Sequence, residues 1–185
     1  MTSNPYSTRT HEAMKEVLLE PEAPAPETFY HMLRGGPEKG NVTIWEPGRA
    51  GREYIKTLGH YHTWDFKETY RILAGEGIAL FQKRASAEDE ALEDVRVVHV
   101  KAGDVLEMPI GYGHILVNTG SGLLVTIDDS PSNDPSKPHA DYEPIRRMHG
   151  MAYYIVEDNG VPALMRNSNY TSIAKEDLGG LSVIG

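Results

Sequence analysis

The feature that most constrains this chain is a succession of short apolar runs, separated by turn residues, from about residue 28 to residue 165. Runs this short, rich in β-branched and aromatic side chains, are typical of β-strands. They predict strands near residues 28–34, 41–46, 52–58, 68–73, 77–83, 95–100, 104–108, 114–118, 122–127, 152–156 and 161–165. Because turn sequences such as PGRAG at 47–51 and DNG at 158–160 punctuate them, we expect an all-β fold, an antiparallel sandwich or barrel.

The segment before the first predicted strand has a different pattern. Thr10 is placed to cap a helix over residues 11–20, in which Met14, Val17 and Leu18 form a short apolar stripe. The following PEAPAP sequence ends that helix, because closely spaced prolines permit only an extended linker. We therefore expect an N-terminal helix and Pro-rich linker over residues 1–27.

Two polar stretches interrupt the rhythm of strands. Residues 85–94 (ASAEDEALED) read as an acidic, solvated loop, and residues 129–144 as a long Pro-containing loop of the kind that is often functional. The pattern weakens after about residue 166. The expected division is a β-barrel over 28–167 and a C-terminal arm or tail over 168–185.

Composition excludes several classes of function. Lysine and arginine total 18 against 27 acidic residues, a formal charge of −9, so no basic face is expected for nucleic acid or an anionic membrane surface. The absence of cysteine excludes disulfides, thiolate metal sites and a cysteine nucleophile. The polar N-terminus MTSNPYSTRT does not resemble a signal peptide, and no apolar run reaches membrane-spanning length. We expect a soluble, cytoplasmic protein.

Three of the eight histidines form a pattern that indicates metal binding. His60 and His62 flank Tyr61 on a predicted strand, where the period of two places both imidazoles on one face. Glu68 follows at the start of the next strand, and a hairpin would return it beside them. His114 opens a later strand, after the turn PIGYG at 109–113. Three imidazoles and one carboxylate suit Fe²⁺, Mn²⁺, Zn²⁺, Co²⁺ or Ni²⁺.

The residues around these four resemble the two signature motifs of the cupin superfamily. The first block runs from Gly59 through the two histidines and Glu68 to Gly75, and the second from Gly103 through His114 to Asn118. The resemblance implies a double-stranded β-helix, or jelly-roll barrel. It also implies one divalent transition metal per chain, Fe²⁺ being expected first, held inside the barrel by His60, His62, Glu68 and His114.

A wider set of residues is similar to the archaeal-type cupin glucose-6-phosphate isomerases. The similarity covers roughly residues 28–167 and includes the runs NVT at 41–43, TLGHYH at 57–62, ETY at 68–70 and EDNG at 157–160. This resemblance implies a homodimer that binds a sugar phosphate, with Thr43, Thr57 and Gly59 holding the phosphate. Four residues would close round the sugar: Tyr30, Tyr70, His139 and Tyr142. Lys56 or Arg52 is a candidate cation near the phosphate.

The chain departs from the family pattern at three points. One residue fewer separates the second histidine from Glu68, Ala140 separates His139 from Asp141, and Asp128-Asp129 stands where the family usually has Tyr-Pro. A carboxylate in place of an aromatic side chain in the pocket would favour a different sugar.

The expected reaction is the interconversion of glucose 6-phosphate and fructose 6-phosphate. The metal would polarise the carbonyl, Glu68 would act as the base, and Tyr142 or His139 would carry the hydroxyl proton. A hydride shift between the two carbons stays open as a second route. Other readings are an isomerase of another sugar or sugar phosphate, an Fe²⁺ cupin dioxygenase, and a non-catalytic sugar-binding cupin. No P-loop, G-x-S-x-G or G-x-G-x-x-G motif favours another chemistry.

Overall fold

The computed structural model describes residues 6–35, 40–86, 89–131 and 138–185, and within them it is built mainly of short strands. The strands in chain order are β1 (Tyr6–Thr10), β2 (Thr28–Arg34), β3 (Asn41–Trp45), β4 (Arg49–Ala50), β5 (Glu53–Tyr54), β6 (Tyr61–His62), β7 (Glu68–Ala74), β8 (Glu76–Arg84), β9 (Ala91–Lys101), β10 (Val105–Met108), β11 (Gly113–Asn118), β12 (Leu124–Asp128), β13 (Ala140–Asp141), β14 (Tyr153–Asp158), β15 (Val161–Arg166), β16 (Ser172–Ile173), β17 (Glu176–Asp177) and β18 (Val183–Ile184). The helices are α1 (His11–Met14), followed by a 3₁₀ turn (Lys15–Val17), and α2 (Glu143–Arg147).

Two main sheets pack on a common core. One has the order β1-β2-β3-β12-β7-β10, and the other has the order β11-β8-β9-β16, with β17 also pairing with β9. A further sheet, β18-β15-β14-β5-β4, and the pair β13-β6 complete the described part of the fold. The pairings are antiparallel except for those of β16 and β17 with β9 and of β18 with β15. The predicted all-β fold is confirmed.

The strand period of two separates the inner face from the outer face of the six-stranded sheet. In β3, Asn41, Thr43 and Trp45 are buried, whereas Val42 and Ile44 between them are half-buried. The register carries the inner row onward, because Thr43 pairs with Met32 on one side and with Thr126 on the other. The sheet therefore turns polar and aromatic side chains inward, which is unusual for a pure core.

The N-terminal helix is shorter than the predicted 11–20. Thr10 does cap it, accepting a hydrogen bond from the Ala13 amide at 3.3 Å, but the helix gives way to the 3₁₀ turn at Lys15 and to extended backbone at Leu18. Tertiary contacts bind the backbone groups of this segment. The Val17 carbonyl accepts from Lys56 at 2.6 Å, and the Leu19 amide donates to Glu53 at 2.9 Å.

Several other boundaries differ from the predictions. The predicted strand 52–58 is regular only at β5, and the predicted acidic loop 85–94 contains the start of β9, whose Leu92 is fully buried. Strand β1 and the short C-terminal strands were not predicted, and they pair with β2, β9 and β15. Of the long polar loop, residues 132–137 lie outside the described residues, and the remainder contains β13 and α2.

Candidate active site

Paired backbone brings three histidines to one place. His60 forms an isolated antiparallel bridge with His114, whose amide donates to the His60 carbonyl at 3.1 Å. Strand β6 is only Tyr61–His62, so the predicted strand is shorter than expected, but its alternation holds. Tyr61 turns the other way into the core, where its hydroxyl accepts from Gln82 at 3.0 Å. His60 and His62 consequently share the face that His114 also reaches.

Glu68 completes the cluster from the first residue of β7. It pairs with Met108 of β10, and the neighbouring Thr69 amide donates to the Asp129 carboxylate at 2.8 Å, which fixes the start of the strand. The Glu68 side chain is almost fully buried. One carboxylate oxygen of Glu68 lies 3.0 Å from His62 Nε2 and 3.6 Å from His114 Nε2.

The four side chains have the geometry of a metal site. One ligand atom from each of His60, His62, Glu68 and His114 lies within 4.8 Å of all the others. The Nε2 atoms of His60 and His114 are buried and have no hydrogen-bond partner. Buried polar atoms without partners are costly, and a bound cation would satisfy them. The residues therefore fit a divalent transition metal held by three nitrogens and one oxygen.

Burial sets the charge state of these ligands. It lowers the pKa of His114 to about 3, with a contribution from His62, and it lowers the pKa of His60 well below the usual value, with help from His114 and His62. Both imidazoles are therefore neutral near pH 7, the state that binds a metal. Burial raises the pKa of Glu68, although the hydrogen bond with His62 opposes the shift. A nearby cation would reverse that effect.

One pocket leads to this cluster, and its lining contains the seven residues predicted to hold the phosphate or close round the sugar: Tyr30, Thr43, Thr57, Gly59, Tyr70, His139 and Tyr142. Its lining consists of Arg9, Tyr30, Met32, Arg34, Thr43, Trp45, Thr57, Gly59, His60, Glu68, Tyr70, His114, Leu116, Ser130, His139 and Tyr142. His62 belongs to the metal cluster but not to this lining. The sequence thus predicted residues from distant segments that the fold brings together, while the role of each one stays a prediction.

The wall formed by residues 57–59 is shaped by close backbone packing. The Thr57 hydroxyl accepts a hydrogen bond from the Leu116 amide at 3.1 Å. Gly59 has a φ of +89°, and a Cβ there would meet the Ile115 side chain at 2.6 Å. Both the conformation and the lack of space therefore require glycine at this position. The Tyr30 hydroxyl accepts from the Leu58 amide at 3.4 Å, which ties β2 to the same wall.

Strand β13 delivers the predicted His139 and Tyr142 to the site. Ala140 pairs with His62, and the His139 carbonyl accepts from the Thr63 amide at 3.0 Å. The His60 ring centroid lies 6.1 Å from that of His139 and 5.5 Å from that of Tyr142. Burial lowers the pKa of His139 and raises that of Tyr142. At neutral pH a neutral imidazole and a protonated phenol therefore face the cluster.

Asp128 does not line the pocket. It is buried, and one oxygen accepts hydrogen bonds from the Asn41 side chain at 2.9 Å and from the Ser130 amide at 3.1 Å. The Ser130 hydroxyl donates to the same oxygen. The carboxylate thus positions Ser130, which does line the pocket. Asp128 therefore lies behind Ser130, although its charge acts on Glu68 and Tyr70, and its influence on the choice of sugar stays a prediction.

Sequence reasoning missed the cations of the pocket. Lys56 is buried against Glu53 and the Val17 carbonyl, and neither it nor Arg52 lines the pocket. Arg9 and Arg34 do. The alternation along β2, which places Tyr30, Met32 and Arg34 on one face, could have identified Arg34. Nothing in the polar sequence around Arg9 predicts a strand.

The described residues include no helix with the length and hydrophobicity needed to cross a membrane. Among solved structures, the capsular polysaccharide assembling protein CapF from Staphylococcus aureus is similar at a TM-score of 0.43 and 22% identity, covering 60% of this chain and 30% of that one.

Curated relatives resemble the chain more closely in sequence. The glucose-6-phosphate isomerase of Pyrococcus abyssi (strain GE5 / Orsay) is 31% identical over 132 residues, 71% of this chain and 64% of that protein. That of Thermococcus litoralis is 30% identical over 130 residues, 70% of this chain and 62% of that protein. The chain therefore spans slightly less than two thirds of the length of these relatives.

A family model described as "Glucose-6-phosphate isomerase (GPI)" matches residues 30–172. That span contains the four residues of the metal cluster and every pocket residue predicted from the sequence. The chain belongs to the glucose-6-phosphate isomerase (GPI) family.

Proposed function

We propose that this protein is a metal-dependent isomerase that interconverts glucose 6-phosphate and fructose 6-phosphate, in glycolysis and gluconeogenesis, in the cytoplasm. The observation that carries the proposal is the junction of two features in one pocket. A cluster of three histidines and one glutamate lies at its end, and hydroxyl, phenol and imidazole groups line its walls. Membership of the glucose-6-phosphate isomerase (GPI) family indicates which reaction such a pocket would catalyse.

The proposed metal ligands are His60, His62, Glu68 and His114, with Fe²⁺ expected first and Mn²⁺, Zn²⁺, Ni²⁺ or Co²⁺ as alternatives. When bound, the metal would act as a Lewis acid that polarises the sugar carbonyl. The neutral state of His60 and His114 supports this assignment, because deprotonated nitrogens are the ones that bind metals.

The protein side chains would divide the remaining work. Isomerisation of glucose 6-phosphate moves a hydrogen from C2 to C1 and a proton from O2 to O1. Glu68 is the proposed base for the carbon-bound proton. Because a bound metal would lower the pKa that burial raises, the carboxylate would have to loosen from the metal before it accepts that proton. His139 and Tyr142 are the proposed carriers of the hydroxyl proton. Because their ring centroids lie close to that of His60, they are within reach of a sugar bound at the cluster.

The proposed substrate contacts line the same pocket. Thr43, Thr57 and Gly59 would hold the phosphate, since hydroxyl and backbone groups bind phosphate by charge-assisted hydrogen bonds. Tyr30 and Tyr70 would pack against the sugar. Burial and the neighbouring Glu68 raise the pKa of Tyr70 well above 10, so its phenol would stay a hydrogen-bond donor.

A coupled assay tests the reaction. Fructose 6-phosphate is supplied to purified protein, and glucose 6-phosphate is detected through a dehydrogenase. We expect turnover by wild type. We expect Glu68→Gln to abolish turnover, while a thermal unfolding transition shows that the variant is still folded. Turnover of fructose but not of its phosphate would indicate an isomerase of another sugar. Oxygen uptake would indicate a dioxygenase, and binding without turnover a sugar-binding protein.

The route of the carbon-bound hydrogen needs a separate measurement. Glucose 6-phosphate deuterated at C2 would lose its label to water if Glu68 carries the proton as a base. Retention of the label at C1 would instead indicate a direct hydride shift.

We also propose a homodimer, on the strength of the outer face of the six-stranded sheet. Register places Tyr6, Leu33, Val42 and Ile127 in one row across β1, β2, β3 and β12. Leu33 is 45% exposed, whereas Val42 and Ile127 are half-buried. The exposed Arg71 follows Ile127 in the row and separates it from Val105 at the far edge. Exposed apolar side chains grouped in this way are typical of a surface that meets another protein.

A further inference from the structure

Arg9 brings the N-terminal strand into the pocket. It pairs with Tyr30 across the β1–β2 ladder, lines the pocket, and donates from Nε to the Tyr30 hydroxyl at 3.3 Å. It also lies outside residues 30–172, the part of the chain that matches the family model. The match to the family model therefore says nothing about Arg9, and its role is argued from the contacts of this chain alone.

The contacts of Tyr30 locate Arg9 relative to the proposed phosphate contacts. The Tyr30 hydroxyl also accepts from the Leu58 amide at 3.4 Å, so the Arg9 guanidinium lies beside the 57–59 wall. Arg34 is four residues further along β2, roughly 13 Å from Tyr30 at the rise of a strand. The Arg34 guanidinium donates to Met32 Sδ at 3.2 Å, whereas that of Arg9 contacts the Tyr30 hydroxyl, which is bound to the backbone of the 57–59 wall.

The charge of Arg9 has no carboxylate partner within 4.0 Å in the part of the chain that the structure describes. Six other arginines have such a partner: Arg49, Arg84, Arg96, Arg146, Arg147 and Arg166. Glu16, which acts on Arg9 at longer range, is itself paired with Arg146 at 2.7 Å. A partly buried cation without a counter-charge is costly, and an anionic ligand would remove that cost.

A hydrogen-bond donor without a partner lies near Tyr30. Trp45 is 1% exposed and lines the pocket, and its indole nitrogen has no hydrogen-bond partner. Its ring centroid lies 6.3 Å from that of Tyr30, the residue that Arg9 contacts. An indole nitrogen can only donate a hydrogen bond. A ligand with hydrogen-bond acceptors could therefore bind both the indole and the arginine.

We propose that Arg9, assisted by the Trp45 indole, recognises the phosphate of the substrate and determines specificity for a phosphorylated sugar. The proposal rests on the proposed function and deepens it. A guanidinium presents paired donors that match phosphate oxygens, and the phosphate dianion supplies the missing negative charge. The N-terminal strand would then be part of substrate recognition.

The test compares Arg9→Gln with wild type in two assays. One measures kcat/KM for fructose 6-phosphate, and the other measures the dissociation constant of inorganic phosphate by calorimetry on metal-loaded protein. We expect kcat/KM to fall, and the phosphate dissociation constant to rise, by about 10- to 100-fold, the value of a charge-assisted hydrogen bond. Arg9→Lys should restore part of the loss, because it keeps the charge without the fork of donors.

Two further variants serve as controls. Arg166→Gln, on β15 outside the pocket, should leave both quantities unchanged, and Arg34→Gln should affect phosphate binding less than Arg9→Gln. Unchanged phosphate binding in Arg9→Gln, or a larger loss in Arg34→Gln, would overturn the proposal. Because phosphate binding needs no turnover, its weakening in Arg9→Gln would support Arg9 even if fructose 6-phosphate were not isomerised. Wild-type protein that bound no phosphate would contradict it.

Discussion

At the residue scale, the site depends on side chains that are polar and buried. Burial of His60, His114 and Glu68 is unfavourable because it removes them from water. The unpartnered nitrogens of the two histidines mark where a cation would offset that cost. The sequence motifs identified these residues because the period of two and the flanking turns fix where they point. They could not identify Arg9, whose place depends on pairing between two strands that are separated by the linker.

Burial of the histidines predicts how the stability of the metal-free protein depends on pH. The unfolded chain binds these protons near pH 6.5, whereas burial lowers the folded pKa of His114 to about 3. The free energy of unfolding should therefore fall as the pH is lowered from 7 to 5, by about 2 kcal/mol at pH 5 from His114. Urea unfolding of the metal-free protein at several pH values measures this slope.

A pair of histidine variants separates this effect from general acid sensitivity. His114→Gln should show a shallower dependence on pH than wild type. His99→Gln, which changes an exposed histidine on β9, should keep the wild-type slope. Equal slopes in all three proteins would show that His114 does not titrate as its burial predicts.

At the element scale, a buried ion pair attaches the N-terminal segment to the barrel. Lys56 Nζ lies 2.5 Å from Glu53 and donates to the Val17 carbonyl at 2.6 Å, while Glu53 accepts from the Leu19 amide. Both side chains are almost fully buried. The pair consequently orders the segment that follows α1, which leads into the Pro-rich linker.

Removal of one partner should be strongly destabilising. Lys56→Met leaves the Glu53 carboxyl buried without its cation, and we expect a loss of about 3–5 kcal/mol in the free energy of unfolding. The double variant Glu53→Gln/Lys56→Met should recover part of that loss. Lys67→Met, which removes an exposed pair with Glu107, should change stability little. A Lys56→Met effect as small as that of Lys67→Met would refute the attachment.

The same contacts explain which elements the sequence could predict. Strands such as β2 and β11 were found nearly to the residue, because alternation and turn residues act locally. The N-terminal helix was predicted too long, because Glu53 accepts a hydrogen bond from the Leu19 amide, which a helix through residue 20 would have donated to the Lys15 carbonyl. The acidic sequence 85–94 predicts a loop, but it contains the start of β9. Burial of Leu92, which the acidic pattern does not indicate, stabilises this part of the strand.

At the scale of the whole molecule, the outer sheet face predicts the oligomeric state. Leu33→Lys would place a charge among Tyr6, Val42 and Ile127, so this variant should convert the proposed dimer into a monomer. Light scattering coupled to size exclusion measures the mass directly. Val161→Lys changes an exposed side chain on β15, away from this face, and should leave the mass unchanged. A wild-type mass of about 20.5 kDa would contradict the dimer itself.

We propose that the cluster of three histidines and Glu68 holds a metal on which isomerisation depends. The most direct measurement is the rate of glucose 6-phosphate formation from fructose 6-phosphate before chelation, after EDTA, and after addition of Fe²⁺, Mn²⁺ or Zn²⁺. We predict loss with EDTA and recovery with metal in wild type and in His99→Ala, but no activity at any stage in His62→Ala. Activity that survives complete removal of metal, or that His62→Ala retains, would contradict the account.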